Sequence, residues 1–163
     1  FVRFCDAFNI PIVSLVDVPG FLPGTGQEYN GVILHGAKLL YAYGEATVPK
    51  VTITLRKSYG GSHIVMSCKQ LRGDMNYAWP TAEIGMMDAK LAAQIMYPDA
   101  DADTQSAKAA KYKELQSSPN AAAARGYVDA IIEPADTRKY VIGAFEMLFT
   151  KRENRPDKKH GTV

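Results

Sequence analysis

The sequence has few cysteines and histidines, and it has no strong excess of charge of either sign. Two cysteines, Cys5 and Cys68, are too few for a disulfide framework or a zinc site, so we expect reduced thiols. The three histidines, His35, His63 and His160, do not fall at metal-ligand spacing, and no metal is expected. A net charge of +2, with no basic stripe interleaved with aromatic residues, argues against a nucleic-acid partner.

Long hydrophobic runs are also absent. No apolar stretch approaches the roughly 18 residues that a transmembrane helix requires, so no membrane segment is expected. The hydrophobic fraction of 47% and the charged fraction of 22% are typical of a globular domain, and 163 residues suffice for one core. The first residues, FVRFCDAF, read as the middle of a helix, so we expect the chain to be a piece of a longer protein.

Short strands rich in Val and Ile alternate with amphipathic helical segments, which predicts an α/β fold with short crossovers. The predicted strands are residues 11–20, 50–59, 76–80 and 127–132. The predicted helices are residues 1–10, 32–46, 60–68, 80–97, 109–118 and 136–155, the last with Asp136 as its N-cap. Residues 20–31 are predicted as a long loop, 99–108 as an acidic connection and 155–163 as a basic tail.

Two consecutive glycines, Gly60 and Gly61, stand between a predicted strand and a predicted helix. The first N–H groups of a helix have no partner within it, and the helix dipole adds positive potential there. Glycine lets another molecule approach this backbone closely, so Gly60, Gly61 and Ser62 could form an oxyanion hole. The alternative is that a turn from strand to helix simply required glycine.

Other polar residues offer weaker candidates for chemistry. The glycines of residues 20–31 match neither a P-loop nor a dinucleotide motif, so an ordered surface loop is favoured over a pocket wall. Asp17 is interpreted as a buried anchor for that loop, and His63 as a residue on a helix surface. Asp74 and Glu83 are candidate general acids or bases without an identifiable partner. The sequence therefore indicates anion stabilisation without an obvious side-chain base.

Two long motifs carry a resemblance to a known family. VDVPGFLPGTGQEYNGVILHGAKLLYAYGEATVPKVTITLRKSYGGSHIVM and LRGDMNYAWPTAEIGMM resemble the biotin-dependent acyl-CoA carboxyltransferases. These include propionyl-CoA carboxylase β subunits, transcarboxylase large subunits and methylmalonyl-CoA decarboxylase α subunits. The resemblance covers nearly the whole chain except residues 99–114.

The resemblance implies a crotonase-like fold, a β-β-α superhelix that occurs twice in each subunit of the family. The N-terminal domain holds the CoA thioester and the C-terminal domain holds the ureido oxygen of carboxybiotin. Residues 1–163 correspond to the later part of the C-terminal domain, and the CoA-binding domain has no counterpart in them. Because the family's active site lies between two subunits, the isolated piece is expected to be inactive.

The resemblance also assigns residues to the site. Gly60, Gly61 and Ser62 match the family's oxyanion hole, with the N–H groups of Gly61 and Ser62 as donors. The residues implied on the biotin side are Gly20, Phe21, Gly61 and Ser62. The residues implied in the acyl pocket are His63 and Ile64. Ile64 stands where propionyl-directed members commonly have an acid, which leaves the preferred acyl chain open.

The implied chemistry explains the missing base. Carboxybiotin releases CO₂, the biotin enolate takes the α-proton of the acyl-CoA, and the acyl enolate attacks CO₂. Biotin itself is therefore the base.

The implied partners are a biotin carboxyl carrier protein, a biotin carboxylase subunit and an acyl-CoA. The implied assembly is a homo-oligomer built from dimers, a hexamer in the full-length form, in the cytoplasm or the mitochondrial matrix. One alternative is the α subunit of a sodium-pumping methylmalonyl-CoA decarboxylase, which would work beside membrane subunits. Another is a non-catalytic assembly or biotin-binding module that uses the apolar side of residues 136–151 as an interface.

Overall fold

A parallel β-sheet organises the computed structural model, which describes residues 1–154. The strand order is β1-β2-β3-β5, and β4 pairs with the end of β2 beyond β3. Every described pairing is parallel, in agreement with the predicted α/β class. The strands are β1 (Ile12–Val18), β2 (Lys50–Tyr59), β3 (Met75–Ala78), β4 (Glu83–Gly85) and β5 (Ala130–Ile131).

Helices connect the strands and cover the sheet. The α-helices are α1 (Val2–Ala7), α2 (Thr25–Tyr29), α3 (Val32–Glu45), α4 (Gly60–Val65), α5 (Ala89–Met96), α6 (Ala102–Tyr112), α7 (Pro119–Ala124) and α8 (Thr137–Met147). Short 3₁₀ turns occupy Lys69–Leu71 and Pro134–Asp136, and a π-helical turn occupies Lys113–Ser117. None of the helices within residues 1–154 has the length and apolar character needed to cross a bilayer.

Strand β2 is the centre of the sheet, and its first five residues are buried. Val51 and Ile53 lie in one core cluster with Tyr77, Ile132 and Ala144, which joins β2 to β3 and α8. A continuous buried run is expected of a parallel strand covered on both faces. The predicted strands at β1 and β2 and the predicted helix at α3 are therefore confirmed.

Lys50 starts β2 with its side chain almost entirely buried. Its Nζ donates hydrogen bonds to the carbonyl oxygens of Tyr43 and Ala46, at 2.8 and 3.1 Å. These carbonyls lie at the C-terminus of α3, where a cation also complements the helix dipole. Lys50 therefore joins the end of α3 to the start of the central strand.

The predicted helix over residues 80–97 is wrong in its first half. Ala82 donates a backbone hydrogen bond to Trp79, so Pro80 stands in a turn and not in the first turn of a helix. Glu83–Gly85 then pairs in parallel with the end of β2, and the helix begins only at Ala89. Asp88 caps this helix by accepting a hydrogen bond from the Lys90 N–H.

The predicted acidic connection at residues 99–108 is also wrong, because most of it is helical. Asp101 caps α6 by accepting from the Thr104 N–H, and the helix continues through the π-helical turn at Lys113–Ser117. Ser118 caps a further helix, α7, which the sequence analysis did not predict. A short polar side chain at the cap position is the signal that marks both helix starts.

Helix α8 confirms the predicted C-terminal helix but is shorter. It ends at Met147, and Asp136 occupies the N-cap position without a capping side-chain hydrogen bond. Its buried side packs on the core cluster through Ala144, Val141 and Phe145. The predicted strand at 127–132 is reduced to Ala130–Ile131. The predicted basic tail at 155–163, with His160, lies outside the described residues.

Candidate functional site

The turn between β2 and α4 requires glycine at its first position. Gly60 has a φ of +57°, in the left-handed region that side chains disfavour. A Cβ there would also lie 3.1 Å from the carbonyl oxygen of Met86, just beyond β4. Gly61 has neither constraint: its φ is not positive, and a Cβ there would meet only the Phe21 ring, at 3.7 Å. Turn geometry therefore accounts for Gly60 but not for Gly61.

Backbone N–H groups are the polar groups that this turn can offer to a ligand. Gly61 and Ser62 lie in the first turn of α4, where N–H groups have no acceptor within the helix. The Ser62 side chain is turned back, since its Oγ donates to the Tyr59 carbonyl oxygen at 2.6 Å. The side chain of Ser62 is thus buried and engaged, and its main chain remains the candidate donor.

His63 does not lie on the helix surface as predicted. Its Nδ1 lies 2.8 Å from the Oγ of Ser58, which is fully buried, and the ring is half-buried. Burial lowers the pKa of His63, so the imidazole is neutral at pH 7. His63 therefore brings no positive charge to the glycine turn.

An apolar cavity of about 340 Å³ lies on one side of α4. Gly20 and Phe21 approach it from the end of β1, and Ser62 borders it from α4. The ring of Phe21 also lies next to Gly61. The structure thus brings together the four residues predicted on the biotin side, Gly20, Phe21, Gly61 and Ser62. The segment at residues 20–31 was predicted as a plain surface loop, and this prediction is wrong in two respects. Its first residues form part of a pocket wall, and its later part contains helix α2.

A second cavity, of about 440 Å³, lies on the other side of α4. His63 and Ile64, predicted for the acyl pocket, both line it. Its lining also includes residues that the sequence analysis did not select: Ile84, Gly85, Met86, Tyr112, Gln116, Arg125 and Tyr127. Gly60 and Gly61 border this cavity too, so the glycine turn separates two neighbouring spaces.

Asp17 is not the buried loop anchor that the sequence analysis proposed. Its carboxylate is largely exposed and accepts hydrogen bonds from the Arg56 side chain and the Lys57 N–H. These bonds, with the Arg56 bond the largest effect, hold the pKa of Asp17 below its usual value. Asp17 therefore ties the end of β1 to β2.

Glu83 and Asp74, the candidate acids or bases, both have structural partners. Glu83 accepts from the Tyr59 hydroxyl at 2.6 Å and pairs with Lys113 at 2.8 Å. Burial opposes ionisation of Glu83, but these two partners hold its pKa below the ordinary value. Asp74 accepts from the Lys50 N–H and from Lys151 Nζ, both at 2.8 Å. We assign both carboxylates to structure.

Metal-binding clusters are not found in the part of the chain that the structure describes. No group of three His, Cys, Asp or Glu side chains comes close enough there to hold an ion. The described residues place the glycine turn, a candidate anion site, between two cavities at the end of the central strand of an α/β sheet. A crevice at the carboxyl ends of parallel strands is the usual ligand position in such sheets.

Comparison with known proteins defines the family. The carboxyl transferase domain family matches residues 1–163. The propionyl-CoA carboxylase beta chain of Cereibacter sphaeroides is 59% identical over 165 residues, covering 100% of this chain and 32% of the relative. The methylmalonyl-CoA decarboxylase subunit alpha of Veillonella parvula is 58% identical over 164 residues, with the same coverage of 100% and 32%.

A solved structure gives the same answer for the fold. The crystal structure of transcarboxylase 12S matches with a TM-score of 0.94 and 55% identity, over 99% of this chain and 32% of that one. The chain therefore belongs to the carboxyl transferase domain family and has its crotonase-like fold. It spans about a third of the length of these relatives.

Proposed function

We propose that this chain forms the biotin side of a carboxyltransferase active site, which moves a carboxyl group between carboxybiotin and a short acyl-CoA. One observation carries the proposal: in a chain of this family, Gly61 and Ser62 of the first turn of α4 lie next to Phe21 and border two neighbouring cavities. The proposed acyl groups are propionyl, as in methylmalonyl-CoA formation, or acetyl.

The residues fit the chemical character of biotin. The cavity at Gly20 and Phe21 is apolar and suits the sulfur-containing ring, while the two N–H groups suit the ureido oxygen. Donors fixed in place before the reaction stabilise developing negative charge without reorganising. Carboxybiotin, when bound, supplies both the carboxyl group and the base. The chain then needs no side-chain base, consistent with the structural partners of Glu83 and Asp74.

We propose that residues 1–163 are the later part of a C-terminal carboxyltransferase domain. The CoA side of the site is then formed by residues outside this chain, and residues 1–163 alone are inactive. His63 and Ile64 face the second cavity, which we propose as the acyl end of the site.

The proposed partners are a biotin carboxyl carrier protein and a biotin carboxylase subunit. A homo-oligomer built from dimers is proposed as well, supported by the hexamer in the transcarboxylase 12S structure. We propose the cytoplasm as the location, with the mitochondrial matrix as the alternative. Two buried free thiols, Cys5 and Cys68, suit either reducing compartment.

A decarboxylase is the second candidate, favoured by the 58% identity to the Veillonella parvula protein. Both reactions use the same half-site, and they differ in the direction of carboxyl transfer. Decarboxylation that depends on sodium ions and on membrane subunits would identify the pump. The third candidate, an assembly module using α8, has less support because Val141, Ala144 and Phe145 pack into the core.

The first experiment replaces Gly61 with proline in the native full-length protein. The change removes one N–H donor, so we expect carboxyl transfer between methylmalonyl-CoA and biotin to fall about 10²-fold or more. Oligomer mass and hydrogen exchange in β2 are measured alongside, because proline could also break the turn. Unchanged turnover in a correctly assembled protein would exclude Gly61 from the site.

A further inference from the structure

Gly36 occupies an interior position of helix α3 without a conformational reason to be glycine. Its φ is not positive, and glycine within a helix is less stable than alanine. Gly36 is also buried, so a small side chain there would ordinarily add packing. Something other than local helix stability must favour the missing side chain.

The missing side chain makes room for the ring of Phe21. A Cβ at Gly36 would lie 2.7 Å from Cζ and 2.8 Å from Cε1 of that ring, closer than packed carbon atoms approach. The Cε2 atom of the same ring lies 3.7 Å from the Cβ position of Gly61. Phe21 therefore sits in a notch of α3 and reaches the glycine turn.

We infer that Gly36 is a positioning residue: its notch in α3 seats the Phe21 ring beside Gly61 and so sets the width of the biotin side of the site. The inference rests on the proposed function, since it concerns the cavity assigned there to biotin. Gly20, Phe21, Gly36 and Ser62 all line that cavity. A side chain at position 36 displaces the ring before it disturbs the helix, because Phe21 is 36% exposed and can move outward.

The test is a Gly36→Ala variant of the native full-length protein, assayed for carboxyl transfer from methylmalonyl-CoA to free biotin. We expect kcat/KM for biotin to fall about tenfold or more, since a displacement near 1 Å can have effects of that size. The KM for methylmalonyl-CoA and the oligomer mass should not change. Gly143→Ala is the matched control, because Gly143 is a helical glycine of α8 with open space around its Cβ position.

A second background separates positioning from a general packing effect. Gly36→Ala is also made together with Phe21→Leu, because leucine lacks the ring atoms that the new Cβ would meet. If Gly36 acts through the ring, its substitution should change kcat/KM for biotin less than about twofold in this background. Gly36→Ala alone could fail to fold. Recovery of folding in the double variant would then support the inference that Gly36 seats the Phe21 ring, and continued failure would overturn that inference.

The remaining outcomes are also decisive. A Gly36→Ala variant as active as the unaltered protein overturns the inference and leaves the proposed function intact. Equal losses in the Phe and Leu backgrounds overturn it as well, since the ring is then not the intermediary. If the unaltered protein transfers no carboxyl group to biotin, the proposed function fails, and the inference fails with it.

Discussion

The hydrogen bond between Tyr59 and Glu83 lies directly beneath the glycine turn, and its removal gives a quantitative test of how that turn is supported. Tyr59 is the last residue of β2, and its hydroxyl donates to Glu83 of β4 at 2.6 Å. We therefore expect Tyr59→Phe to loosen the contact between β4 and the end of β2.

The magnitude follows from the charge and the burial of the partners. A hydrogen bond to a charged group contributes about 1.5–3 kcal/mol, and the low end applies because Glu83 keeps Lys113. A loss of about 1.5 kcal/mol corresponds to roughly tenfold faster local opening.

Hydrogen exchange of the native full-length protein measures this opening. The amides of residues 83–85 in the Tyr59→Phe variant should exchange roughly tenfold faster, and those of Val51 and Ile53 should not change. Tyr140→Phe is the control, because within residues 1–154 the Tyr140 hydroxyl has no hydrogen-bond partner and its ring contacts Tyr77. Equal exchange at residues 83–85 in Tyr59→Phe and in the unaltered protein would refute this account of the network.

Further predictions concern pH, packing, specificity and thiol chemistry. The pKa of Glu83 is lower in the folded protein than in the unfolded chain. The stabilisation from Glu83 should therefore be complete above the unfolded pKa and disappear as the pH falls through the folded pKa. The free energy of unfolding of Glu83→Gln should lack this loss at acid pH. Gly73→Ala should lower the free energy of unfolding by about 1–3 kcal/mol, because its Cβ would lie 2.6 Å from the Ser67 carbonyl oxygen. An unchanged urea midpoint of unfolding would contradict this close contact. Ile64→Asp should lower kcat/KM more for the longer of two acyl-CoA substrates than for the shorter one. An equal decrease for both substrates would contradict the assignment of Ile64 to the acyl pocket. Burial raises the pKa of the Cys68 thiol, so a thiol reagent at pH 8 should label it only after denaturation.

The spacing of apolar residues along the sequence was sufficient to predict the longer elements. β1, β2 and α3 each carry apolar residues at a regular period, and the glycine turn follows directly from the order of strand and helix. The strand at Glu83–Gly85 could not be predicted in this way, because it forms by pairing with the end of β2, 26 residues earlier in the sequence. Its three residues are too few to show a period of their own.

The site divides in the same way. Gly60, Gly61 and Ser62 were predicted because they are consecutive, and Gly20 and Phe21 came from a motif shared with the family. Their approach to one another in the structure supports the grouping. The notch at Gly36 was not predictable, because it is defined only by the ring of Phe21. The same holds for the partners of Glu83, which lie 24 and 30 residues away and show no pattern in the sequence.

The two pairings on one edge of β2 separate the wall of the second cavity from the main core. Residues 51–54 of β2 pair with β3 on one edge and hold the main core, whereas residues 57–59 pair with β4 on that edge. Strand β1 pairs with the other edge of β2 and reaches Ser58. Ile84, in β4, belongs to a different apolar cluster from Val51 and Ile53 and lines the second cavity, as does Met86 just after it. Substitutions at Ile84 and Met86 therefore act first on the smaller cluster and the cavity wall, and not on the main core. With the second cavity as the proposed acyl end of the site, acyl preference and the main core of the fold depend on different residues of one short chain.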